Sequence, residues 1–354
     1  MAITYHAGRR IQGTSTDFGT DGAGIPAVTG GWKELGRTTL GSAGDTIDVA
    51  SLADKRYYMI LSDLQATGLI QSTDFRVNAD SGSNYAYRIS SNGGTDATGV
   101  SRVGLINGVT QTSTPQFAIA YMSNLSTKEK LLLGHGVGQD TAGAGTAPLR
   151  RENSCKWAET TNPIDQLTHN NTGSGSYNTG SELVVLGWDP ADTHGTNFWE
   201  ELASVNASGS SPTLDSGTIT AKKYLWVQCF TDPASSTTPQ WRVNSDSGSN
   251  YSERLSSDGG ADGTNVNGSV MNIGNTTATP SFSNTFIINN SANEKLFINN
   301  WVGGNTAGAG TAPMRREGTG KWITTGSQIT SLQCILAASV NHTTNSTMKV
   351  WGSN

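Results

Sequence analysis

The chain carries its own sequence twice. Residues 76–85 (RVNADSGSNY) return as residues 242–251 (RVNSDSGSNY). Residues 141–152 (TAGAGTAPLRRE) return as residues 306–317 (TAGAGTAPMRRE). The offset is 167 at Trp32/Trp199, 166 at Phe75/Trp241 and 165 from Pro115/Pro280 onward. A period this long is too long for one solenoid unit, so each copy is expected to be a whole domain, trimmed by single residues in its loops. The organisation expected is an extended N-terminal arm at 1–31, a domain at 32–188, a linker at 189–197 and a second domain at 198–354. A copy of roughly 155–165 residues buries about 70% of its unfolded-chain surface, enough for a core without disulfides.

Within each copy the apolar period is two rather than 3.6. Residues 57–61 (YYMIL), 117–121 (FAIAY), 130–134 (KLLLG) and 182–186 (ELVVL) read as strands, as do their repeats. Clusters such as DSGSN and NGG separate them. Short strands punctuated by Gly, Asn, Asp and Ser indicate an antiparallel sandwich or barrel, with eight to ten strands per copy. The fold class expected is all-β, two tandem jelly-roll-like β-sandwiches. The arm holds few bulky apolar residues and cannot build a core of its own, so it is expected to lie on its own domains or on a neighbour.

Composition narrows the partners. The 43 glycines and a charged fraction of only 14% suit strands, turns and protein-covered surface. The net charge is −5, and the doublets Arg9-Arg10, Arg150-Arg151 and Arg315-Arg316 stand isolated. That is a poor electrostatic footprint for nucleic acid or for an anionic membrane, and neither is an expected partner. No apolar run approaches the ~20 residues of a bilayer span. The first residues lack the basic-then-apolar layout of a secretory signal, so synthesis in a cytosol is expected. Cys155, Cys229 and Cys334 have Gly320, Ser62 and His169 as repeat mates. A disulfide the fold required would have been duplicated with it, so free thiols are expected.

The chemistry-bearing residues each have a plain structural reading. Asn78, Asp80 and Asn84, with Asn244, Asp246 and Asn250, offer oxygens on a tight turn, as calcium loops do. One carboxylate and no closing Glu favour a hairpin turn instead, with glycine at positive φ between paired strands. TAGAGTAP is not a phosphate-binding loop and leads into a strand, so a mobile or contact-making loop is expected. On the Arg-Arg-Glu strand one arginine must face inward, where a carboxylate would satisfy it. The duplicated acids on a neighbouring strand predict structural pairs: Glu129 with Arg150 or Arg151, and Glu294 with Arg315 or Arg316. Trp32, Trp157, Trp188, Trp199 and Trp322 read as core. Trp226, Trp241 and Trp301 lack a tryptophan mate, and Trp241 and Trp301 are candidate glycan contacts. No histidine is duplicated, and His194 beside Asp192 reads as a solvated linker pair. Other acids repeat, among them Asp96/Asp262 and Glu152/Glu317, but nothing marks two of them as a glycosidase pair. No nucleophile elbow is present. No enzyme activity and no cofactor are expected.

Taken together, residues 32–40 (WKELGRTTL), 55–60 (KRYYMI), 75–78 (FRVN) with the DSGSNY turn, 126–130 (STKEK) and the strand ending at Trp157 resemble the β-sandwich modules of tailed-phage virion proteins, notably of marine viruses. Residues 5–13 (YHAGRRIQG) look like the leader that precedes such modules. The resemblance implies a virion location and a capsid decoration, head-fibre or tail-fibre role. It further implies a homo-oligomer, expected as a trimer, whose arm binds other virion proteins through Tyr5, Arg9, Arg10 and Ile11. A major capsid protein with a double jelly roll is one alternative. A glycan-binding surface protein that engages a host glycan is another.

Overall fold

The structure is a computed structural model that describes residues 31–70, 74–109, 113–189, 192, 197–306 and 308–354. The arm residues Tyr5, Arg9, Arg10 and Ile11 and the linker His194 lie outside the described residues. Asp192, which the sequence reading set beside that histidine, forms an ion pair with Lys55.

The protein is all-β. The first half holds β1 (Lys33–Thr39), β2 (Thr46–Val49), β3 (Tyr57–Leu64), β4 (Phe75–Val77), β5 (Tyr85–Ser91), β6 (Ala97–Arg102), β7 (Gln116–Ser123), β8 (Lys130–Gly138), β9 (Leu149–Trp157), β10 (Leu167–Asn170) and β11 (Glu182–Trp188). The second holds β12 (Glu200–Asn206), β13 (Thr213–Asp215), β14 (Tyr224–Thr231), β15 (Pro239–Val243), β16 (Tyr251–Ser257), β17 (Gly263–Gly268), β18 (Met271–Asn272), β19 (Ser281–Ile288), β20 (Lys295–Gly303), β21 (Met314–Trp322), β22 (Leu332–Leu336) and β23 (Thr347–Ser353). A 3₁₀ turn at Ala337–Ser339 is the one helical element among the described residues.

Each half has a large antiparallel sheet and a small one. The large sheets run β1-β11-β3-β7-β8-β9-β5-β6 and β12-β23-β14-β19-β20-β21-β16-β17. The small sheets run β2-β10-β4 and β13-β22-β15-β18. In the first half a bridge between Phe75 and Leu105 stands where β15 meets β18 in the second. None of these sheets closes on itself.

Among the described residues three cores hold the molecule together. One fills the first half, around Tyr58, Ile60, Phe75, Trp157 and Leu183. A second fills the other half, around Leu225, Val227, Trp241, Phe297 and Trp322. The third lies between the halves, where the outer faces of the two large sheets meet. This explains the apolar runs. In β3, Tyr58, Ile60 and Leu64 enter the first core, while Met59 and Leu61 on the opposite face enter the third. A strand covered on both faces reads as a continuous run, not an alternation.

The turn at residues 78–84 corrects the hairpin reading. It joins β4 to β5, and these strands belong to different sheets, so it is an arch across the sandwich. Positive φ falls on Asn78 and Ala79 (52° and 53°) and on Asn244 and Ser245 (49° and 53°), not on the glycines expected there. Asparagine tolerates this region because its short side chain bonds locally. Asn78 Nδ2 donates to Pro163 O (2.8 Å), and Asn78 Oδ1 accepts from Asp165 N (2.9 Å). Asn244 makes the equivalent bonds to Gln328 O and Thr330 N.

Candidate assembly interface

The third core begins with side chains that strand alternation turns outward. The first half supplies Met59, Leu61, Phe117, Ile119, Val137 and Val184; the second supplies Trp199, Trp226, Phe286, Leu296, Ile298 and Trp351. Trp226 stacks on Phe286 with ring centres 5.5 Å apart, and Trp351 lies 5.1 Å away. Burying one such side chain is worth about 1.5–3 kcal/mol. The contact is therefore built as a core is, from apolar side chains of both halves.

Around it runs a polar rim. Arg150 Nη2 meets Asp262 Oδ1 at 2.6 Å, with side chains only 3% and 2% exposed. Lys223 Nζ sits 3.0 Å from Asp63 and 3.1 Å from Glu182, whose carboxylate also accepts from the Tyr224 hydroxyl at 2.7 Å. Burial pushes Asp63 up in pKa and outweighs Lys223. Burial pushes Glu182 the same way, but Lys223, Thr39, Tyr224 and Arg37 together hold it below the usual carboxylate range. The glycine-rich loop of the first half lies on the second. Lys321 Nζ donates to Gln139 O at 3.0 Å and to Thr141 O. Gly143 N donates to Glu294 Oε1 (2.6 Å), Asn267 N to Ala144 O (2.9 Å), and Arg254 Nε to Pro148 O (2.7 Å). The contact-making reading of this loop holds for the first copy.

The predicted Glu–Arg pairs do not form. Glu129 pairs with Lys156 at 3.1 Å, and Glu294 meets Lys321 at 3.6 Å. The reason is register. Lys130 lies opposite Trp157 and Val137 opposite Arg150, so the acid and the arginine stand at opposite ends of the ladder, roughly 23 Å apart at strand rise. Arg150 pairs instead with Asp262 and Glu152, and Arg315 with Glu317 at 2.8 Å. Arg151 turns inward, as one arginine had to, and donates to Ser91 Oγ (3.1 Å); Arg316 turns inward onto Gly274 O. Burial lowers both guanidinium pKa values.

The glycan candidates are buried. Trp241 is fully enclosed and donates from Nε1 to Thr285 Oγ1 at 3.2 Å. Trp301 packs on Gly274 and Gly303, where a Cβ would come within 2.4 Å of its ring. Neither ring can stack on a sugar. In the candidate calcium turns the carboxylate is already filled by N–H donors. Asp80 accepts from Gly82 N (2.8 Å), Asn84 Nδ2 (2.9 Å) and Trp157 Nε1 (2.7 Å). Asp246 accepts from Gly248, Asn250 and Trp322 at the same positions. Partial burial raises both carboxyls, but these bonds prevail and hold them below the usual range. The trio fastens the arch to a core tryptophan.

Two hollows remain. A cleft of about 480 Å³ between the halves is lined by Asp96, His135, Glu152, Asn284 and Glu317. Burial raises the Glu317 carboxyl, helped by the charge of Glu152. Burial, with Arg150 beside it, drives His135 down to about 3. An apolar hollow of about 800 Å³ on the first half is lined by Tyr57, Val100, Tyr121, Leu131, Leu133 and Trp188.

Sequence reasoning missed Asp63, Glu182, Lys223 and Arg254 as interface residues. One signal was readable: Asp63 and Glu182 sit in duplicated strands, yet their mates are Phe230 and Thr347. A charge that appears in only one of two copies marks a contact made by only one.

No family model matches the sequence, and no curated protein matches it. Among solved structures, a Neisserial surface protein A (NspA) crystal structure aligns at 8% identity over 80% of this chain and 99% of its own, with a TM-score of 0.13. The outer membrane protein OprG from Pseudomonas aeruginosa aligns at 8% identity over 86% and 100%, with a TM-score of 0.09. At such scores neither likeness carries an argument about fold or function.

Proposed function

We propose that this chain is a structural protein of a virion, a capsid decoration, head-fibre or tail-fibre component built from two tandem jelly-roll-like sandwiches. The topology supports the jelly-roll reading. In the second half, β12-β23-β14-β19 and β13-β22-β15-β18 follow the two interleaved four-strand orders of a jelly roll. The hairpins β16–β17 and β20–β21 are then insertions that widen one sheet. The first half repeats the arrangement with its shorter small sheet.

One observation carries the building role: the core shared between the halves. Apolar faces, buried ion pairs and the glycine-rich loop all serve sheet-to-sheet contact. The sequence resemblance supplies the virion location. Quantitative mass spectrometry of purified particles tests the reading: the chain is expected at a fixed stoichiometry to the shell protein, and its absence from particles would refute it. A second reading, the major capsid protein itself, is favoured by the same pairing of two sandwiches in one chain. Copy number separates the two, since a shell protein cannot be stripped from an intact particle.

A further inference from the structure

The repeat gives every contact between the halves a twin position on the opposite half. The first half presents one surface to the interface: its glycine-rich loop, Arg150, and the outer face around Asp63, Phe117 and Val137. The second presents a different one: Asp262, Glu294, Lys321 and the outer face around Tyr224, Leu296 and Ile298. The contact is thus heterologous, and among the described residues it leaves one unused surface of each kind.

Those unused surfaces keep the character of an interface. Leu131 and Leu133, 57% and 64% exposed, are the twins of buried Leu296 and Ile298. Tyr57 and Tyr121, also exposed, are the twins of Tyr224 and Phe286. On the second half, exposed Phe282 and Val302 are the twins of buried Phe117 and Val137. Ala144, Ala147 and Pro148 are buried in the docked loop, whereas Ala309, Ala312 and Pro313 are exposed. Large apolar side chains gathered on an exposed face mark an interaction site.

Several twin pairs also stay complementary where their chemistry has changed. Arg150–Asp262 becomes Arg315 and Asp96. The hydrogen bond from Asn290 to Asp63 (2.7 Å) becomes Leu125 and Phe230, apolar facing apolar. The bond from Asn293 to Gln65 (2.7 Å) becomes Lys128 and Asp232, opposite charges. Lys321 and Glu294, which grip the loop, become Lys156 and Glu129. Asn267, whose N–H meets Ala144, and its twin Ser101 share positive φ (54° and 51°). Other bonds are lost: Ala86 stands where Ser252 donates to Thr146 O, and Phe230 and Thr347 stand where Asp63 and Glu182 hold Lys223, whose twin is Arg56. Arg315 rests on Glu317, Asp96 on Arg88 and Glu129 on Lys156, all exchangeable surface pairs.

We infer that the chain binds a second copy of itself head to tail, repeating between chains the contact it makes within one. Residues 308–313, Arg315, Phe230, Phe282 and Val302 of one copy seat on the Tyr57–Leu133 hollow of the next, with Arg315 paired to Asp96. Each added copy offers the same two surfaces again, so the product is a ring or a filament. The inference deepens the building role proposed above and rests on it only for its purpose; the geometry comes from the internal interface.

Sedimentation velocity of the purified full chain over a concentration series tests it, with circular dichroism as the check of fold. Wild type is expected to sediment as a multiple of the chain mass. Arg315→Asp and Asp96→Arg should each weaken association at least tenfold, and the variant carrying both should recover it. Cross-linking fixes the topology. Leu125→Cys mixed with Phe230→Cys should give a disulfide-linked dimer under diamide, which takes up the two thiol hydrogens, while neither variant links to itself; the native cysteines are buried. A monomeric wild type, an oligomer indifferent to both charge variants, or Leu125→Cys linked to itself would overturn the inference. A monomer still found in particles would leave the virion role standing. A head-to-tail oligomer absent from particles would do the reverse.

Discussion

Arg150 and Asp262 form a two-point ion pair across the halves, Nε to Oδ2 at 3.1 Å and Nη2 to Oδ1 at 2.6 Å. Planar two-point pairing is the geometry guanidinium and carboxylate favour. Removing one member strands the other charge in a buried site, at a cost of about 3–5 kcal/mol. Arg150→Met alone should therefore destabilise strongly in urea titrations, and Asp262→Leu likewise. The double variant should recover much of the loss, since replacing a whole buried pair with apolar groups is often near neutral. Additive losses would mean that the two charges do not depend on each other.

Acid should unfold the protein through its buried histidines. His169 Nε2 lies 3.0 Å from Ser62 Oγ and 3.3 Å from Asn107 Nδ2, and burial drives its pKa down to about 3, as it does for His135. An unfolded histidine titrates near ~6.5. Between those values the unfolded chain holds protons that the native imidazoles refuse. The stability of the neutral rings is thus complete above ~6.5 and is lost as pH falls toward ~3. Urea midpoints should decline from pH 7 to pH 4. The second half has already replaced this pair, with Cys229 and Cys334 at the twin positions, both buried and in mutual contact. Ser62→Cys with His169→Cys should therefore flatten the pH dependence. An unchanged slope would place the acid sensitivity elsewhere.

The arch turns give a paired test in one molecule. Asp80→Ala removes the acceptor of Trp157 Nε1 and frees two further donors. Leaving a buried donor unsatisfied costs about 1–3 kcal/mol. Asp246→Ala should cost a similar amount, because Trp322, Asn250 and Gly248 repeat the geometry. Calcium should leave the melting temperature unchanged, as each carboxylate is occupied by N–H groups. A calcium-dependent rise in melting temperature, lost in the Asp80→Ala and Asp246→Ala variants, would return these turns to the metal reading.

Strand positions were legible because apolar runs such as 57–61 and 182–186 occur twice with turn residues between them. The inward turn of one arginine per Arg-Arg pair was legible too, since alternation forces it. What escaped were relations set by sheet order. The 78–84 turn reads as a hairpin because local chemistry is the same whether the chain folds back on one sheet or crosses to another. Arg150 finds Asp262, 112 positions away, because the two large sheets stack; nothing near either residue signals that. Trp241 and Trp301 drew attention as unduplicated rings, yet they fill space that their own half leaves open. At the twin of residue 301 the first half has Gly136, where an added Cβ would come within 2.7 Å of the Gly108 backbone, so no side chain fits there.

The shared core sets a limit on how far each half is a domain by itself. Produced separately, residues 32–188 would expose Met59, Leu61, Phe117, Ile119 and Val137, and residues 198–354 would expose Trp199, Trp226, Phe286, Ile298 and Trp351. Such a face exceeds the scattered apolar exposure that monomers tolerate. It also uncovers Asp63 and Glu182, which lose Lys223. Each half retains its own core, so secondary structure should persist, but with dye-binding surface and a tendency to aggregate. Mixing the two halves should restore a one-to-one complex with a blue shift in tryptophan emission, as Trp199, Trp226 and Trp351 leave water. Two halves that stay monomeric, dye-silent and indifferent to each other would show that the contact between the large sheets contributes little, and that the linker alone keeps them together.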